Sequence, residues 1–341
     1  MTLAAKTLYE TVAQLGLTRA QVRKLLPHWW DPVLEKSADG VAELAVHLSR
    51  RLSVELQALT EGRLVPKGAV SRLAYKHSSN LPESSLASAS FIASSLAQAV
   101  LGSMEQPYRQ LPQDTAELRR LARSVQSGLL SFDGLLEMCW SHGIPVIPLP
   151  HLPVGVRKMD GAALQVGDRP VIVVAKKKSS RAWLSFILAH EIGHIVRGHL
   201  KAGSSIVDIS LQETTEYLAE SSSDPQETEA DEFALQLLGG KEVELEVATW
   251  PSNASPVELA VKGREAAARF RIEAGHFVLR NAFLSKRWPE AMMALRFLSE
   301  DVNPEATLIG HLQAHLRMDL IAEDLQELVA RITGWAAVQQ R

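Results

Sequence analysis

The sequence predicts an α+β fold that is mostly helical, with one small sheet near the middle of the chain and helical regions on either side. Three observations carry that prediction. Apolar residues recur at three- and four-residue spacing through the first 125 positions and again after Gly240, the period of an amphipathic helix. AALQV and RPVIVVA flank Gly167-Asp168, and Val171 to Val174 are β-branched, so the two runs read as a hairpin. Through KKKSS the hairpin leads into the helical stretch that contains LAHEIGHIVRGH, Leu188 to His199.

Length and composition agree with this. With 341 residues, 46% hydrophobic and 22% charged, the chain can bury a core in each of two or three domains. We divide it at 1–125, 126–240 and 241–341. A net charge of −3 gives no global pull toward nucleic acid or an anionic membrane surface. The single cysteine, Cys139, excludes an intrachain disulfide framework, and its neighbours Met138 and Trp140 suggest a buried thiol. MTLAAKTLYE lacks the basic-then-apolar pattern of a secretion signal, so a cytoplasmic location is expected. The longest uncharged stretch, Ser84 to Met104, carries seven serines and reads as a buried helix, not a membrane span.

In the first region, TVAQLGLTRAQVRKLLP has apolar positions at Val12, Leu15, Leu17, Val22, Leu25 and Leu26. Gly16 suits a turn between two short helices, and Thr18 can cap the second. This looks like a helix-turn-helix with Arg19, Arg23 and Lys24 along its second helix; a DNA contact and a plain packing unit are both open. GVAELAVHLSRRLSVELQAL is a further helix, and EGRLVPKGAVSR and QPYRQLPQD are loops around the serine-rich one. In the second region, SFDGLLEMCWSHG reads as a helix closed by Gly143, and the prolines of IPVIPLP confine that extended run to a sheet edge. Gly203 to Ser223, serine-rich and acidic, reads as a surface loop that can cover a cleft. Beyond a WPSNASP linker, the third region is helical, with apolar faces and no strong catalytic signature.

The chemistry concentrates in the second region. His190 and His194 stand one helical turn apart on one face, a spacing that can hold one Zn²⁺ at about 2.0–2.1 Å from each nitrogen. Glu191 is rotated by about 100° from His190, where a general base can reach a water beside the metal without being a ligand. The metzincin pattern fails, because Arg197 and Leu200 hold its glycine and third-histidine positions. His199, about 140° around the helix from His194, reads as solvent-facing or substrate-side. In SDPQETEADEFALQLLGG, Asp224 can cap a helix and Pro225 suits its first turn. Glu227 and Asp231 then share a face, and Ala230, Ala234 and Gly193 are small enough for two helices to approach closely. Glu227 reads as the third ligand and Asp231 as the carboxylate that fixes a ligand histidine from its far nitrogen. Glu229 is the competing ligand, and a capping box between Asp224 and Glu227 is the reading without metal.

HEIGH followed by ETEADEFALQLL, after a strand and a variable acidic loop, resembles the ImmA/IrrE family of zinc metallo-endopeptidases over roughly residues 126–240. The resemblance implies a zincin-like fold, Zn²⁺ on His190, His194 and Glu227, and Glu191 as catalytic base. It also implies a protein substrate, a helix-turn-helix transcriptional repressor of a stress-response or mobile-element system. The chain exceeds the minimal family domain at both ends, which leaves substrate and regulation open. On this reading Pro170 to Val174 pairs with an extended substrate by strand addition, and Lys176 to Lys178 form a solvated turn or attract an acidic partner segment. His199, Tyr217 and His276 are candidates for oxyanion stabilisation. The alternatives are a DNA-binding regulator that uses the peptidase fold as a sensor, and an antitoxin-like interaction protein held together by zinc without turnover.

Overall fold

A computed structural model of the chain describes residues 4–67, 72–75, 84–125, 128–156, 160–175, 180–200, 204–208, 224–298 and 303–335. The N-terminal part holds α1 (Ala5–Ala13), α2 (Arg19–Leu25), α3 (Ala38–Arg51), α4 (Leu56–Thr60), strand β1 (Arg72–Tyr75) and α5 (Ser84–Gly102). The middle holds α6 (Thr115–Val125), α7 (Phe132–Ser141), β2 (Val146–Pro148), β3 (Gly161–Val166), β4 (Arg169–Val174), α8 (Arg181–Val196), β5 (Ser204–Asp208) and α9 (Pro225–Leu237). Then follow α10 (Gly240–Ala248), α11 (Pro256–Phe270), α12 (Ala274–Ser285), α13 (Trp288–Phe297), α14 (Pro304–His315) and α15 (Glu323–Thr333). No helix among the described residues is long and apolar enough to cross a membrane.

Local chemistry sets several boundaries. Gly16, at φ 78°, turns the chain between α1 and α2, and Thr18 and Gln21 form a reciprocal capping box at the start of α2. Gly143, at φ 72°, follows α7; a Cβ there would lie 2.5 Å from the Pro107 carbonyl oxygen, so only glycine fits. Gly167, at φ 63°, makes the hairpin turn that pairs β3 antiparallel with β4.

The five strands lie in the order β1-β5-β3-β4-β2. β2 runs parallel to β4 at the sheet edge, where its Pro148 needs no partner on the open side. Two expectations are corrected. β4 is an inner strand whose Ile172 to Val174 are paired on both sides, with β3 and β2, so that stretch offers no free edge for a substrate strand. Within the segment expected to be a loop, residues 204–208 form β5, antiparallel to β3 and parallel to β1. Ser204-Ser205 gives this strand little apolar signal, and pairing with the open edge of β3 supplies what its sequence does not. The rest of that expected loop, and Lys176 to Lys178, lie outside the described residues.

Side chains alternate across the sheet into two cores. Ala162, Leu164, Val171 and Val173 face a core shared with α1–α3, α5 and α15. Val146, Ile172 and Val174 face the other, built with α6–α13. Both faces are covered, which explains the apolar reading of β4 at every position from Val171 to Val174. Because α8 packs on the second face, the sheet is the floor on which the HEIGH helix rests.

Candidate metal centre

Helix α8 is buried from Leu184 through His194, so the residues of HEIGH are held by packing on every side. Its first residue, Arg181, is tied by ion pairs to Asp133 on α7 and to Glu273. Helix α9 starts as its sequence suggests: Asp224 accepts from the backbone N–H of Gln226 at 2.9 Å, and Pro225 takes the first turn. The two helices come together at Gly193. A Cβ at that position would stand 3.2 Å from the Ala230 carbonyl oxygen and 3.1 Å from the Phe233 ring. Glycine on one helix and alanine on the other thus bring α9 close enough for a carboxylate to reach the histidines.

That carboxylate is Glu227. Its Oε2 lies 3.3 Å from His190 Nε2, and its Oε1 lies 3.5 Å from His194 Nε2. The two Nε2 atoms are 2.9 Å apart, and one ligand atom from each of the three buried residues lies within 4.8 Å of the others. Ligands of a tetrahedral zinc ion at 2.0–2.1 Å stand about 3.3 Å from one another, so this donor set fits a metal ion with one corner left open. Glu227 is therefore not spent on a capping box with Asp224.

The far nitrogens are also held. His190 Nδ1 lies 2.9 Å from Asp231 Oδ1, an arrangement in which the N–H donates to the carboxylate and leaves Nε2 as a lone pair for metal. His194 Nδ1 lies 2.9 Å from His199 Nδ1, and His199 Nε2 lies 3.1 Å from Glu229 Oε2. One proton assignment satisfies this row: His194 donates to His199, and His199 donates to Glu229. His199 is thus neither solvent-facing nor substrate-side; it is buried behind His194. Helical phase misplaced it because α8 ends at Val196 and Gly198, at φ 70°, turns the chain back. Glu229 also lies beside Arg197, at 3.4 Å, and stands behind the histidines instead of between them.

Electrostatics favour the metal-binding protonation states. Burial lowers the pKa of His194 against the opposing pull of Glu227, and the charges of His190 and His199 add to the lowering, which favours the neutral imidazole. Burial alone would raise Glu227, but hydrogen bonds from His190 and His194 outweigh it and hold the carboxyl well below the usual carboxylate range.

Glu191 is fully buried and lies against the first residue of β3. A Cβ on Gly161 would stand 2.6 Å from Glu191 Oε1 and 2.8 Å from Ile187 Cγ2. Gly161 is thus a site residue that sequence reasoning missed; its only signal was a glycine opening a strand, a mark of close approach.

The other candidates fall elsewhere. His276 is buried on α12, where it lines a small apolar cavity with Trp183 and Phe186. Tyr217 lies outside the described residues. Cys139 is buried, and burial pushes its thiol pKa far up, so it is held as an inert thiol. On α2, Arg19, Arg23 and Lys24 are all exposed; Arg19 is paired with Glu35 at 2.5 Å and lies over the Tyr9 ring.

Compared with known proteins, the chain matches no family model, no curated protein and no solved structure.

Proposed function

We propose that the chain is a zinc-dependent endopeptidase that hydrolyses a peptide bond in a protein substrate. The observation that carries the reading is the convergence of His190 Nε2, His194 Nε2 and the Glu227 carboxylate in a buried site, with Glu191 next along the same helix. A zinc ion on those three side chains would supply a Lewis acid that polarises the scissile carbonyl and acidifies a neighbouring water. Asp231 and His199 hold the two imidazoles in the tautomers that present Nε2. Glu191 takes the proton of the attacking water and later delivers it to the leaving amine, and Gly161 leaves the space in which its carboxylate sits. A helix-turn-helix repressor is the proposed substrate; that part rests on the HEIGH and ETEADEFALQLL resemblance.

The test compares wild type with Glu191→Gln, each co-expressed with a candidate helix-turn-helix repressor taken from the neighbouring gene. Glu191→Gln keeps size and shape but removes the base. The variant is expected to fold and keep its metal while cleavage falls by ~10²–10⁴-fold. Equal cleavage by both proteins rejects the mechanism. Zinc uptake with no cleavage by wild type favours the interaction protein held together by metal.

A further inference from the structure

We infer that the chain carries a second metal site, at Glu137, His311 and His315, for a late first-row divalent ion such as Zn²⁺ or Co²⁺. HLQAH in α14 places His311 and His315 one turn apart, and DGLLE in α7 places Asp133 and Glu137 one turn apart against them. Glu137 Oε2 lies 3.0 Å from His315 Nε2 and 3.5 Å from His311 Nδ1. One ligand atom from each of the three lies within 4.8 Å of the others. The two distances bracket the roughly 3.3 Å between ligand atoms of a tetrahedral zinc site.

Two further observations separate this group from an ordinary surface ion pair. The far nitrogen of His311, Nε2, lies 3.5 Å from Asp133 Oδ1, and Asp133 is itself paired with Arg181. His190 and Asp231 repeat the same build, a carboxylate behind a histidine whose other nitrogen faces the metal position. The His315 ring stacks on Trp140, with centroids 5.1 Å apart and planes 5° from parallel, so its nitrogen edge is fixed in direction. Two imidazoles and one carboxylate select zinc and its late first-row neighbours over magnesium and calcium, which want mostly oxygen. The three side chains are only partly buried, at 17–30% exposure, so an ion enters from solvent without opening the fold. The site is distinct from the first. Arg181, the nearest link between them, stands nine residues before His190 on α8, about 14 Å along the helix. An ion held there would clamp α14 onto α7, which packs in turn against α8.

The test strips the full chain of metal and titrates it with Zn²⁺ and Co²⁺. Wild type is expected to take up two ions, Glu227→Gln or His190→Ala one, His315→Ala one, and His190→Ala with His315→Ala none. In the His190→Ala background, Zn²⁺ still raises Tm, and His311→Gln or Glu137→Gln weakens uptake by more than ~100-fold. Asp133→Asn weakens it by ~10–100-fold, the scale of a partner behind the ligand. The glutamine variants leave Trp140 stacked on His315, so loss of a ligand is told apart from loss of packing. One ion per chain, lost in His190→Ala and kept in His315→Ala, overturns this site and leaves the first intact. One ion lost in His315→Ala and kept in His190→Ala supports it and removes the first.

Discussion

His194 Nδ1 stands 2.9 Å from His199 Nδ1, so the ligand face of one imidazole is set from behind by another. A ligand histidine free to rotate or change tautomer loses affinity for its metal, and outer partners are typically worth ~10–100-fold in affinity. His199→Ala is therefore expected to weaken metal binding by about that much, measured by competition against a chelator dye. Unchanged affinity would show that packing alone orients His194.

Glu227 and Glu229 are both acidic and half a helical turn apart, yet they face different atoms. Glu227 bridges the two Nε2 atoms, whereas Glu229 reaches His199 and Arg197 with about half its side chain in water. Glu227→Gln is expected to lose the ion of this site, binding one ion per chain fewer than wild type. Glu229→Gln is expected to retain it, with affinity lowered by no more than about tenfold, because a partly exposed partner is screened. Metal analysis of the two variants in a His315→Ala background, which leaves only this site, decides; retention in Glu227→Gln and loss in Glu229→Gln would reverse the ligand assignment.

Gly161 tests the proposed base from the opposite side. An alanine there pushes against Glu191 Oε1 and Ile187, while the proposed metal ligands on α8 and α9 are not among the atoms it meets. Misplacing a reacting group by about 1 Å costs up to ~10²-fold in rate. Gly161→Ala is expected to keep its metal and lose ~10–10²-fold in kcat with KM little changed. A loss of metal instead would mean that β3 shifts α8 as a whole.

These experiments also mark what was legible in the sequence. The contact between α8 and α9 was, because Gly193, Ala230 and the i, i+4 pair Glu227 and Asp231 are local patterns with one geometric meaning. So were the hairpin, the edge position of β2 and the Thr18 cap, each fixed by residues within a few positions of one another. The place of His199 was not, since one left-handed glycine ends the helical phase from which it was extrapolated. Nor was β5, whose existence depends on an edge of β3 more than 40 residues earlier in the chain. The pairing of His311 and His315 with α7 spans a far wider gulf, 178 residues between Glu137 and His315: HLQAH is unremarkable until Asp133 and Glu137 are brought against it.

His276 contributes to the acid response of the fold, as do His47 and His194, whose pKa values burial also lowers. It is fully buried, and neither ring nitrogen has a hydrogen-bond partner among the described residues; the nearest carboxylate oxygen, on Glu273, is 3.8 Å away. Burial, with a further contribution from the Arg181 charge, lowers its pKa from 6.5 to about 4. The folded state thus refuses a proton that the unfolded chain accepts below about pH 6.5. Stability from this residue is complete above that pH, falls as pH drops, and levels off below about 4. By pH 4.5 the loss amounts to roughly 2–3 kcal/mol. Asp133, held at about 2 by its hydrogen bond with His311 and by Arg181, titrates below this window. His276→Leu keeps the apolar volume and removes the titrating ring. Urea unfolding at pH 7 and pH 4.5 is expected to show a smaller drop in the variant than in wild type, by that same roughly 2–3 kcal/mol. Equal drops in both proteins would mean that a water or a shift of Glu273 satisfies the imidazolium inside the fold, and that the acid response comes from elsewhere.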